Sequence, residues 1–151
     1  MKKLVLTATA LFLLCTPALA GGGLDGFLGS LNVQARADLP GFSARIGAQF
    51  GVPVPQVRAV MGSVATPADA FMVFQLAEMS HRTPDQALGA YKANRGRGWG
   101  VIAKSLGIKP GSPEFHRLKR GDFVLEGGPQ AGPGTGKGKG RGKGKGKERT
   151  W

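Results

Sequence analysis

Residues 66–86 read TPADAFMVFQLAEMSHRTPDQ, and this stretch decides the fold. Thr66 precedes Pro67 and stands three residues before Asp69; Thr83 precedes Pro84 and stands three before Gln86. A Thr hydroxyl at an N-cap accepts a hydrogen bond from a free N–H of the first helical turn, and the acid or amide three residues on returns the bond. Proline at the first helical position has no hydrogen bond to lose. Between these two starts Phe71, Met72, Phe74, Leu76 and Met79 predict a helix apolar around much of its circumference, as the central element of a bundle must be.

The same signal recurs at Ser112-Pro113-Glu114, which predicts a third start. After Thr83 the residues Ala87, Leu88 and Tyr91 form a narrower apolar stripe that runs into the basic, glycine-rich stretch Lys92 to Gly98. Trp99, Ile102, Ala103 and Leu106 then fall at i, i+3, i+4 and i+7, with Gly107 as the stop of that helix. Upstream, Ala44 to Phe50 and Pro55 to Met61 read as two short helices divided by Gly51-Val52-Pro53. Residues 21–40 read as a flexible, transitional segment in which Leu31 to Leu39 makes a short helix or strand. No stretch alternates as a half-buried strand does. The expected fold is all-α, a small bundle of about five short helices over residues 41–126.

The run Tyr91-Lys92, GRGWGVIAKSLGIKPGS over 96–112, Glu114-Phe115-His116 and Leu118-Lys119 resembles a block of a family of small exported bacterial proteins. The resemblance covers roughly residues 50–120 and implies a helical fold and an envelope location; it brings no established activity with it. GWGVIAKSLGI is also similar to the first helix and turn of helix-turn-helix domains, with a longer turn over 107–112 and a short following helix, Pro113 to Arg120.

The two ends of the chain carry different information. Lys2 and Lys3 precede an apolar run from Leu4 to Cys15, followed by Thr16-Pro17 and Ala18-Leu19-Ala20, the order of a secretory signal peptide over residues 1–20 with its cut after Ala20. Twelve residues make about 18 Å of helix, short of the roughly 30 Å hydrocarbon core, so no stable membrane span is expected. Bulky Leu14 before Cys15 disfavours a lipoprotein cut. Cys15 is the single cysteine, so the exported product is expected to rely on packing, without disulfides.

Residues 127–151, GGPQAGPGTGKGKGRGKGKGKERTW, hold ten glycines and no aliphatic side chain larger than that of Ala131. Such a segment buries too little apolar surface to offset the entropy of ordering it and reads as a disordered tail. Lys137, Lys139, Arg141, Lys143, Lys145, Lys147 and Arg149 stand there against Glu148 alone. The chain as a whole carries +12; without Lys2 and Lys3 the charge is +10, of which +6 sits on 127–151 and +4 on 21–126.

These seven cations are the expected polyanion-binding residues. Lysine ammonium groups are compact point charges without the planar fork of arginine, so they suit anionic polymers in general. A solubilising tail with no specific partner is the alternative. A possible secondary anion site gathers Arg95, Arg97, Arg117, Lys119 and Arg120. The glycines of Gly96-Arg97-Gly98-Trp99-Gly100 form either a turn that seats Trp99 or a phosphate cradle, though the pattern matches neither common phosphate-binding motif.

His81 and His116 lack further ligands at a metal-site spacing, and no nucleophile stands with a base and an orienting group. No metal, cofactor or catalytic residue is expected. The sequence thus points to a non-enzymatic exported protein, periplasmic or extracellular. Its expected partners are anionic envelope polymers: lipopolysaccharide, acidic glycan or extracellular DNA. The alternatives are a nucleic-acid-binding helix-turn-helix-like domain and an envelope protein-interaction module. The oligomeric state is open.

Overall fold

The computed structural model describes residues 22–128, and among them are seven helices and no strand. They are α1 (Leu24–Ala37), α2 (Leu39–Phe50), α3 (Val54–Met61), α4 (Pro67–Met79), α5 (Pro84–Ala93), α6 (Trp99–Ser105) and α7 (Pro113–Arg120). The all-α class is as the sequence implies, with more helices than the expected five. Residues 1–20, where a signal peptide is expected, and the residues of the basic tail from Pro129 onward lie outside the described residues.

Helix α4 occupies the centre. Every residue from Ala70 to Ala77 is buried, and α1, α2, α3 and α5 all pack on it. Its N-terminus carries the complete reciprocal cap: the Asp69 N–H donates to Thr66 Oγ1 at 3.2 Å, and the Thr66 N–H donates to Asp69 Oδ2 at 3.1 Å. Thr83 and Gln86 repeat the arrangement at α5, and the Ser112 hydroxyl accepts from the Phe115 N–H at the start of α7. Around α4 the aromatic rings interlock. Phe71 meets Phe27 edge-on at 5.3 Å between ring centroids and Phe50 at 5.6 Å, and Phe50 stacks on Phe74 at 5.8 Å. Offset and edge contacts of this kind add to what burial alone contributes.

Residues 21–40 depart from the flexible segment expected of them. Leu24 to Ala37 forms the longest helix described, with Leu31 and Ala35 buried and Leu24, Phe27 and Leu28 packed against the core. Those positions follow the i, i+3, i+4, i+7 rule. Gly26 and Gly29 mask it, since each glycine in a helix interior costs about 1 kcal/mol relative to alanine. Burial against α4 outweighs that cost, so the folded body begins before residue 41.

The second helix also starts earlier than Ala44. Asp38 ends α1 by donating its N–H to the Gln34 carbonyl and begins α2 by accepting the Gly41 N–H at 2.9 Å, and Pro40 stands in the first turn of α2. One residue thus terminates one helix and caps the next.

Beyond α7 the chain turns at Gly121, whose φ is +66°. A Cβ at this position would lie 2.7 Å from the Gly23 carbonyl group, so the end of α7 and the start of α1 can meet only with glycine here. The chain then runs back along α2. Phe123 and Leu125 are buried, while Gln49 donates to the Val124 carbonyl and accepts the Glu126 N–H, both at 3.0 Å. Arg45 Nη1 donates to the Gly127 carbonyl at 3.2 Å. The basic tail therefore leaves the body from a fixed point beside α2.

Leu31 is 1% exposed in the interface between α1 and the rest of the core. Leu31→Ala is expected to destabilise the protein by about 2–5 kcal/mol in denaturant unfolding, the usual cost of such a cavity; a peripheral α1 would give an effect below about 1 kcal/mol.

Candidate functional site

The charges of the body are unequally used. Acidic side chains are drawn into local structure. Asp38 and Asp69 cap helices, Asp25 and Asp85 lie in first turns where the helix dipole favours a negative charge, and Glu78 accepts from Gln75. Among the described residues the one ion pair joins Arg120 to Asp122. The remaining Lys and Arg side chains make no ion pair within the described residues and are for the most part exposed. The body therefore presents a solvated basic surface on which few cations are neutralised.

The sequence-predicted cations fall into three places. Lys137, Lys139, Arg141, Lys143, Lys145, Lys147 and Arg149 lie outside the described residues. Arg95 and Arg97 occupy the turn between α5 and α6. Arg117, Lys119 and Arg120 lie on α7, where the Arg117 guanidinium sits 5.6 Å from the centroid of the Phe123 ring and Arg120 is held by Asp122. No hydrogen bond or ion pair joins the α5–α6 pair to the α7 group.

The turn between α5 and α6 builds an aromatic cleft with charged side chains at its rim. Gly96 and Gly98 have φ of +77° and +88°, values that glycine adopts without the steric cost of a Cβ, and they bring Trp99 back over α5. Trp99 is partly buried and stacks on Tyr91, ring centroids 5.5 Å apart and planes 29° from parallel. Tyr91 is buried, and its hydroxyl is fully used: it donates to Asp69 Oδ2 at 3.0 Å and accepts from the Ala65 N–H at 3.1 Å. This ties the last turn of α5 to the cap of α4. The Arg95 guanidinium lies 6.0 Å from the Tyr91 centroid, at the outer limit of a cation–π contact. A cleft of about 410 Å³ results, lined by Asp69, Tyr91, Arg95, Trp99 and Ile102 together with Ala65 and the two glycines.

Trp99 with the turn that seats it, and Arg95 as a member of an anion site, are legible in the sequence. The place of Asp69 and Tyr91 in the cleft wall is not. Asp69 is legible only as a cap, and the separation of 22 positions between the two leaves no local pattern to join them.

Two further cavities have a different character. One of about 460 Å³ between α2, α3 and the start of α4 is mainly apolar, lined by Leu39, Pro40 and Met61 with Arg58 at its edge. Another, of about 320 Å³, brings His81, Ser112 and Glu114 to one place. Those residue types invite a comparison with nucleophile, base and acid, but Ser112 Oγ is bound as the cap of α7 and no hydrogen bond joins it to His81. His81, with φ of +53°, follows the end of α4, and His116 is exposed on α7. Among the described residues no three of His, Cys, Asp or Glu converge as metal ligands, and no helix is long and apolar enough to cross a membrane.

Glu114 has a defined electrostatic role. Hydrogen bonding of its carboxylate to its own backbone N–H and to the Ser112 hydroxyl lowers its pKa from 4.5; desolvation opposes this, and the charges of Arg117 and His81 add smaller lowering effects. Compared with family models, with curated proteins and with solved structures, the chain matches none. The functional reading therefore rests on the residues and their geometry.

Two measurements check this description. Tyr91→Phe leaves the Ala65 N–H without its partner and removes one bond from Asp69, and is expected to destabilise the protein by about 1–3 kcal/mol in denaturant unfolding. The depressed pKa of Glu114 means that its ionised form supports the fold above the unfolded value near 4.5, and that this support is lost as pH falls through and below it. Glu114→Gln should therefore flatten the acid limb of stability against pH while leaving its shape near neutrality unchanged.

Proposed function

We propose that the chain is a non-enzymatic exported protein of the bacterial envelope, periplasmic or extracellular, that binds anionic polymers through the basic segment 127–151. The observation that carries this reading is the density of unopposed charge: seven Lys and Arg against Glu148 within twenty-five residues. A polyanion that engages such a segment releases its condensed counterions, a gain in free energy that needs no shaped pocket. Two features of the body support the reading. Most of its acids are used at helix starts, where they compete little for the basic segment, and the segment departs from a point fixed on α2 by Gln49 and Arg45. Lipopolysaccharide phosphates, acidic glycans and extracellular DNA all meet the requirement.

Duplex recognition by α7 in the manner of a helix-turn-helix is less favoured. Arg117 lies against Phe123 and Arg120 against Asp122, so two of the three cations of that helix are already engaged. A protein-interaction role would draw on the apolar groove between α2 and α3, and no residue there names a partner.

The test is a full-length variant in which the seven cations of the tail are changed to Gln. On immobilised polygalacturonate, and on duplex DNA, the native chain should be retained at low salt and released steeply as salt rises. On DNA, full engagement of seven cations corresponds to a slope of log K against log salt of about −6. The variant should elute at low salt on both columns with most of that slope gone; undiminished retention would refute the proposal.

A further inference from the structure

We infer that the cleft between α4, α5 and α6 binds one acidic sugar residue of the polymer that the basic segment engages, with the sugar ring on Trp99, its carboxylate on Arg95 and a ring hydroxyl on Asp69. The inference deepens the polyanion reading proposed above and rests on it for the class of ligand.

The cleft holds two opposite charges that do not neutralise each other. Arg95 makes no hydrogen bond within the described residues, and it forms no ion pair with Asp69, the other charged side chain of the cleft wall. Asp69 spends Oδ2 on the Thr66 N–H and the Tyr91 hydroxyl, while Oδ1 accepts nothing among the described residues. A free guanidinium and a free carboxylate oxygen therefore share about 410 Å³ with the exposed part of an aromatic ring, within the size range of small-ligand sites.

Each of these groups selects a different part of a ligand. The guanidinium fork favours a carboxylate, which it meets with two parallel hydrogen bonds. An ionised carboxylate is an acceptor only and takes hydroxyl or amine donors. The indole face is a flat apolar surface, complementary to the C–H face of a pyranose. A hexuronate residue supplies a carboxylate, ring hydroxyls and such a face on one rigid frame.

A phosphodiester chain fits less well. Within a DNA strand the deoxyribose hydroxyls are esterified, so its sugar offers no hydroxyl donor to the Asp69 carboxylate, which is an acceptor only. Among the polymers the tail can engage, an acidic glycan is the one this cleft favours.

The wall is set before a ligand arrives. Tyr91 is held by both hydrogen bonds of its hydroxyl, Trp99 is stacked on it, and Gly96 and Gly98 fix the turn that carries Arg95 and Trp99. Preorganisation of this kind lowers the ordering cost of binding.

The test uses the full chain carrying Trp151→Phe, which leaves Trp99 as the sole tryptophan, and follows its fluorescence as digalacturonate is added. A saturable change is expected, weakened roughly tenfold or more by Arg95→Gln, a substitution at an exposed side chain that removes a charged hydrogen-bonding partner. Arg95→Lys, which keeps the charge and loses the fork, should fall between the two. Neutralising the seven tail cations should leave disaccharide binding unchanged, so the cleft and the tail are read separately. No saturable change, equal affinity in Arg95→Gln, or tighter binding of a thymidine dinucleotide than of digalacturonate would each overturn the inference. Salt-dependent retention of the native chain on polygalacturonate would then still stand on the tail alone.

Discussion

From Ala70 to Ala77 no side chain of α4 faces water, and a helix without a polar side has to be covered from every direction. That constraint organises the remainder of the body. α1, α2, α3 and α5 each supply a wall, and Phe27, Phe50 and Phe71 fit together because three elements converge on the same central helix. With no cysteine after Cys15, this packing is the main source of stability, and it explains why α1, a glycine-containing helix of poor intrinsic propensity, is nevertheless formed. Without α1 the face of α4 bearing Phe71 would be exposed.

The polar groups at the edge of this core serve two ends. Asp69 closes the first turn of α4 and anchors the Tyr91 hydroxyl. The same contact holds α5 against α4 and aligns the ring on which Trp99 rests. A helix cap, a helix–helix tie and the wall of a cleft thus depend on one carboxylate. The use of acids at helix starts has a second consequence, because it removes most negative charge from competition with the cations and leaves the body's +4 largely unpaired on its surface.

What could be read in the sequence is what depends on neighbours a few residues apart. Thr66 with Asp69, Thr83 with Gln86 and Ser112 with Pro113 mark three helix starts, and each cap is present; Gly107 stands just past the end of α6 with φ of +93°. What is not legible depends on distant partners. Gly26 and Gly29 hid the apolar period of α1, which becomes intelligible only once α4 is seen to need cover. The return of residues 122–126 along α2 is fixed by Gln49, more than seventy positions away. The cleft was half visible: Trp99 and Arg95 share a recognisable turn, whereas Asp69 and Tyr91 join them only through tertiary packing.

The two proposed contacts with a polymer would work over different ranges and therefore need not duplicate one another. Attraction between the basic segment and a polyanion is long-ranged at low ionic strength and screened beyond about 10 Å at 0.1 M salt; it concentrates the ligand without distinguishing one anionic polymer from another. Contact at Arg95, Asp69 and Trp99 is short-ranged and depends on the position of a carboxylate relative to a sugar ring. Joining a weak selective site to a strong unselective one raises the effective concentration of ligand at the cleft, so even a single sugar residue can be discriminated when the cleft's own affinity is modest. Specificity in such an arrangement would lie with the folded body, and residence on the polymer mainly with the charge.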